Sequence, residues 1–115
     1  MENITLDEFE HLVSEGIDSL PNEMLNALDN VIFLVEDEPE DGSDTLGVYE
    51  GFSLQERGLY GYGEEPDRII LFRKPLIAHS DSLESLVKEI RVTLVHEIAH
   101  FYGISEERIH ELGWG

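Results

Sequence analysis

From Leu83 onward, apolar and polar residues recur with a helical period. Leu83, Leu86, Val87, Ile90, Leu94, Ile98 and Phe101 share one face, and Val92, Val95 and Ala99 lie on another side. The pattern predicts a helix that starts at the capping sequence Asp81-Ser82-Leu83-Glu84, runs to Tyr102 and stops at Gly103. Towards its C-terminal end this helix is apolar around most of its circumference, which predicts burial. Between Val92 and Phe101 the polar residues are Thr93, His96, Glu97 and His100, at i, i+3, i+4 and i+7, so they form a single stripe. Buried polar groups left unpaired cost about 1–3 kcal/mol each, so the stripe has to be satisfied by something.

The same reading orders the rest of the chain. Thr5 and Glu8 form a capping box, with Ile4 and Phe9 as its hydrophobic staple, and open a helix that carries Phe9, Leu12 and Val13 to a stop at Gly16. A second helix is expected from about Ser19 to Asn30, with Pro21 in its first turn and Leu20, Met24, Leu25 and Leu28 on its apolar face. Val31–Val35 reads as a buried strand, Leu46–Phe52 as a second, and Ile69–Phe72 as a third that Pro75 stops. Glu36–Asp44 is an acidic turn whose spacing fits no EF-hand. Gly58–Gly63 is a glycine and tyrosine loop, and Ser105 caps a last short helix through Leu112. Helices and strands are segregated, which predicts one α+β domain over residues 1–115.

Charge narrows the partners. The 115 residues carry 26 acidic against 7 basic side chains, a formal net charge of -19. Such an acidic protein repels phosphate backbones, which excludes nucleic acid, and attracts cations, basic peptides among them. No cysteine is present, so any metal must be held by His, Asp or Glu. The acidic N-terminus lacks the basic and apolar run of a signal peptide, and no apolar stretch is long enough to span a membrane. A cytoplasmic protein is expected.

The stripe itself reads His96-Glu97-Ile98-Ala99-His100, an H-E-x-x-H motif. Imidazoles at i and i+4 project from adjacent turns and can converge on one zinc ion at about 2.0–2.1 Å each. Glu97 is rotated away from the first ligand and can reach a zinc-bound water, whose pKa zinc lowers to about 7. His96 and His100 are therefore the metal-ligand candidates and Glu97 the general base. A catalytic zinc site has three protein ligands and an open position. Gly103 stands where the pattern H-E-x-x-H-x-x-G-x-x-H has its glycine, and the third-ligand position is then Glu106. His110, one helical turn later, is the alternative third ligand. Tyr60, Tyr62 and Tyr102 are candidate oxyanion donors as well as ordinary packing residues. Thr93 is expected to bond its own helix backbone. His11 and His79 read as surface residues, and Trp114 as a packing residue.

On the segments Gly47-Val-Tyr-Glu-Gly-Phe52, Asp67-Arg-Ile-Ile-Leu-Phe-Arg-Lys-Pro75 and Val95-His-Glu-Ile-Ala-His-Phe-Tyr-Gly103 through Glu111-Leu-Gly-Trp114, the chain resembles the small bacterial zincin-like metallopeptidases, or minimal zincins. The resemblance implies a compact α+β fold with the active-site helix under a short mixed sheet. It also implies that Ile69–Phe72 is an edge strand beside the cleft, where an extended peptide can pair. Glu106 stands where metzincins have histidine, and no Met-turn sequence follows. The expected function is zinc-dependent hydrolysis of a peptide or protein substrate. The alternative is a non-catalytic zinc-binding or protein-interaction module on the same scaffold.

Overall fold

The computed structural model describes residues 4–26, 28, 30–51 and 66–112, apart from the Glu106 side chain. Helix α1 (Leu6–Asp18) starts as its sequence dictates: Glu8 N–H donates to Thr5 Oγ1 at 3.1 Å, and Thr5 N–H donates to Glu8 Oε1 at 3.0 Å. Helix α2 is a single turn, Asn22–Leu25, capped by Pro21. The longer helix expected to Asn30 does not form; Asn30 takes a left-handed backbone with φ 56°, which no helix accommodates.

Among the described residues three strands follow, β1 (Val31–Glu36), β2 (Gly47–Glu50) and β3 (Asp67–Phe72), in the spatial order β1-β3-β2. β3 runs parallel to β1 and antiparallel to β2. It is thus the central strand, which corrects the expectation that Ile69–Phe72 forms an edge. Its unbroken apolar run suits burial on both faces, and Ile69, Ile70, Leu71 and Phe72 are each at most 4% exposed. Among the described residues β1, expected to be buried, pairs on one side only and is half-buried, with Ile32 exposed.

The strand ends at Phe72, before Pro75, as expected, but the chain continues as a helix: Pro75 lies in the first turn of α3 (Arg73–Ala78), where a backbone N–H has no intrahelical partner to lose. Arg73 anchors this corner: Nε donates to Asp37 at 2.9 Å and Nη1 to the Ile4 carbonyl at 2.7 Å. Helix α4 (Leu83–Tyr102) and helix α5 (Glu106–Glu111) complete the chain, capped by Ser82 and Ser105 respectively. The core is formed where α4 meets α1 and the inner face of the sheet. Leu86, Ile90, Leu94 and Ile98, one per turn of α4, are fully buried with Phe9 and Met24 from the N-terminal helices and Ile69 and Leu71 from β3. No helix among the described residues is long and apolar enough to cross a membrane.

Candidate active site

The motif lies in the last turns of α4. The helix ends at Gly103, whose φ of 71° places it in the left-handed region that glycine adopts without penalty. Ile104 N–H then closes back on the Ala99 carbonyl at 3.1 Å. This turn sends the chain into α5, whose Ile109 is buried in the core.

The polar stripe is buried at Thr93 and Glu97 and more open at the two histidines. Thr93 and Glu97 are 6% and 8% exposed, His96 is half-buried, and the His100 side chain is exposed. Glu97 Oε1 is buried with no hydrogen-bond partner. His100 Nδ1 lies 3.2 Å from it, within ion-pair reach but outside hydrogen-bonding geometry. Burial pushes the Glu97 carboxyl above its ordinary pKa, and the positive charge that His100 and His96 can carry pulls in the opposite direction without cancelling it. A carboxyl raised in this way holds its proton to higher pH than an ordinary carboxylate, which suits it to proton exchange.

Strand β2 is the described element that passes over this stripe. Gly47 sits against α4 so closely that a Cβ there would lie 2.7 Å from Thr93 Cγ2 and 3.6 Å from Glu97 Cγ. Two residues along, the Tyr49 ring meets Phe101 edge-on, with centroids 6.4 Å apart and an interplanar angle of 83°. Two strand residues cover about 6.6 Å and four helix residues about 6 Å, so β2 and the end of α4 run side by side in the same direction. The Tyr49 hydroxyl donates to the carboxylate of Asp67, which is 2% exposed. Asp67 was not singled out from the sequence. An acidic residue heading a largely apolar strand was the available signal, but its tyrosine partner is 18 residues away.

The remaining candidates are placed as follows. Glu106 opens α5, and its side chain lies outside the described residues. His110 is exposed on α5. Among the described residues no group of three His, Asp or Glu side chains is arranged to hold a metal ion. The Tyr102 hydroxyl donates to the Met24 carbonyl at 2.6 Å, so it ties α4 to α2 and does not serve as an oxyanion donor. Tyr60, Tyr62 and the loop Gly58–Gly63 lie outside the described residues, as does Trp114. His11 and His79 are exposed, beside Glu15 at 3.5 Å and Glu89 at 3.9 Å.

A family model described as zincin-like metallopeptidase matches residues 28–114. No curated protein matches the chain. Among solved structures the chain is similar to a conserved hypothetical protein from Thermo thermophilus, with 20% identity and a TM-score of 0.55 over 95% of this chain and 97% of that one. At that identity the likeness concerns the fold alone.

Proposed function

Because the chain belongs to the zincin-like metallopeptidase family, we propose that it is a zinc-dependent peptidase in which Glu97 is the general base. The observation that carries this reading is the buried Glu97 carboxyl, whose Oε1 has the His100 imidazole 3.2 Å away, between two histidines on one helix stripe. Burying a carboxyl costs free energy, a cost that a protein retains where the group has work to do.

The donor set fits zinc. Two imidazoles one turn apart, with no thiolate in the chain, match the histidine and carboxylate chemistry of catalytic zinc. His96 and His100 would hold the ion, with Glu106 as third ligand and His110 as the alternative. A zinc ion held there would supply a Lewis acid and lower the pKa of a coordinated water to about 7.

The chain's own residues supply the rest. Glu97 takes up the proton of the attacking water at Oε1 and returns it to the leaving amine, first as base and then as acid. Its burial keeps the carboxyl poised for both directions of transfer. β2 passes directly above Glu97, and an extended substrate pairing along it would lie over the carboxyl. Because the chain is strongly acidic, basic peptides are the favoured substrates.

The test is a Glu97→Gln variant, assayed for bound zinc and for cleavage of a mixed peptide library. Retained zinc with lost cleavage is the expected result. Cleavage that survives the substitution would sink the mechanism. Zinc retained without cleavage by the unaltered chain would favour the non-catalytic module.

A further inference from the structure

His100 sits in the last turn of α4. The final carbonyls of a helix have no partner within it, so last turns tend to fray. The His100 side chain is 61% exposed, and little packing holds it directly. Its neighbours in sequence are held firmly. Phe101 is fully buried, and its ring meets two tyrosines edge-on. The Tyr49 centroid lies 6.4 Å away with the planes at 83°, and the Tyr102 centroid 5.4 Å away at 80°.

Each tyrosine is tied down at its far end. The Tyr49 hydroxyl donates to Asp67, whose own N–H donates to the Asn30 carbonyl at 2.9 Å, at the start of β1 and β3. The Tyr102 hydroxyl donates to the Met24 carbonyl at 2.6 Å, on α2. The three rings therefore run as one brace from the start of β3, across the end of α4, to α2. Both hydroxyl acceptors belong to elements other than α4, so its last turn cannot lift or unwind without breaking a ring contact or a hydrogen bond. The glycine turn closes the helix end itself: Gly103 N–H donates to the His100 carbonyl and Ile104 N–H to that of Ala99, each at 3.1 Å.

We propose that Asp67, Tyr49 and Tyr102 are positioning residues for His100, holding the end of the motif helix so that the second imidazole stays one turn from His96. Two histidines spaced this way share one ion only while that turn is intact. A site that is in its binding posture for a fraction of the time loses affinity by that fraction. This role rests on His100 being a metal ligand, as proposed above, whereas the brace itself belongs to the metal-free chain.

The first arm of the experiment is amide hydrogen exchange on the whole metal-free chain. Tyr49→Phe and Tyr102→Phe each keep the ring and remove one hydroxyl. Each lowers the protection of the Phe101–Ile104 amides about threefold to tenfold. Leu86→Val, a change at a fully buried position about 21 Å up the same helix, lowers protection in the middle of α4 but leaves those amides within about twofold. Asp67→Asn, whose amide still offers Tyr49 an acceptor, loses less than Tyr49→Phe. The second arm is zinc affinity, read by competition with a chromogenic chelator. Both tyrosine variants lose about threefold or more, and Leu86→Val stays within about twofold. Unchanged protection in both tyrosine variants overturns the brace. So does an equal fall in Leu86→Val, which would mean that the core as a whole holds the turn. Zinc affinity that drops no further in the tyrosine variants than in Leu86→Val overturns the positioning role. An unaltered chain that takes up no zinc sinks the ligand assignment of His100 and the positioning role with it, and the exchange result still decides the brace.

Discussion

A Cβ on Gly47 would lie 2.7 Å from Thr93 Cγ2, so the backbone of strand β2 rests directly on the Thr93 side chain of the motif helix. The Ile70 carbonyl, 3.1 Å away on the adjoining strand, blocks retreat on the other side. Gly47 therefore sets the height of β2 over Glu97.

Gly47→Ala should destabilise the chain by about 1–3 kcal/mol through overpacking, measured by urea unfolding. Thr93→Ser removes the opposing methyl. If the contact is the cause, the double variant recovers a large part of the loss, giving a coupling of about 0.5–3 kcal/mol in a double-mutant cycle. Strict additivity would show that the strain lies elsewhere.

Glu97 offers a prediction with a sign. Its folded-state pKa is raised, by burial above all, over the ordinary value of 4.5. Above pH 4.5 the folded chain then holds a proton that the unfolded chain has released, so this residue's contribution to stability declines as pH rises through the raised value. In metal-free protein, Glu97→Gln should match the unaltered chain at low pH. It should become more stable than that chain as pH increases, by about 1–3 kcal/mol at neutral pH, the cost of the unsatisfied carboxylate. A stability difference that stays flat with pH in parallel urea titrations would show that burial does not disfavour the ionised form.

Tyr49 and Asp67 join β2 to β3 beneath the motif helix. Tyr49→Phe removes the hydroxyl that donates to a carboxylate only 2% exposed, while leaving the ring against Phe101. The expected cost is about 1–3 kcal/mol in urea unfolding, with Asp67→Asn milder because an amide can still pair with the hydroxyl. An unaltered midpoint in Tyr49→Phe would mean that Asp67 is satisfied without this donor.

What the sequence made legible was local. The capping box of Thr5 and Glu8, the Ser82 and Ser105 caps and the glycine stop at Gly103 all depend on neighbours within a few residues, and all form as expected. The polar stripe of α4 was legible for the same reason, since helical spacing alone puts Glu97 and both histidines on one side. The sheet order was not legible. An apolar run such as Ile69–Phe72 reads as buried whether one strand or two flank it, and only long-range pairing decides. Helix α3 escaped because six residues hold too little periodicity and Pro75 suggests a stop. Tyr102 looked like a donor for chemistry because its acceptor, the Met24 carbonyl, lies 78 residues away.

The third ligand remains a matter of sequence spacing, and metal affinity decides it. Ser105 caps α5 by accepting from Arg108 N–H at 3.2 Å, which fixes Glu106 as the first helical residue, directly after the turn made by Gly103. His110 lies one helical turn further on and is exposed. The shorter reach from the motif favours Glu106. Glu106→Ala should lower zinc affinity by at least about tenfold in competition with a chromogenic chelator, since even changes to residues outside the ligand set commonly cost that much. His110→Ala should stay within about twofold of the unaltered chain, inside the range expected of an exposed side chain that does not touch the metal. The reverse ranking would make His110 the ligand. Equal large losses in both would describe a site closed by four protein ligands, the arrangement of structural zinc, with no open position for water. The same pair of variants thus separates a peptidase from a metal-stabilised binding module: only a site that keeps a position free can bring water within reach of Glu97.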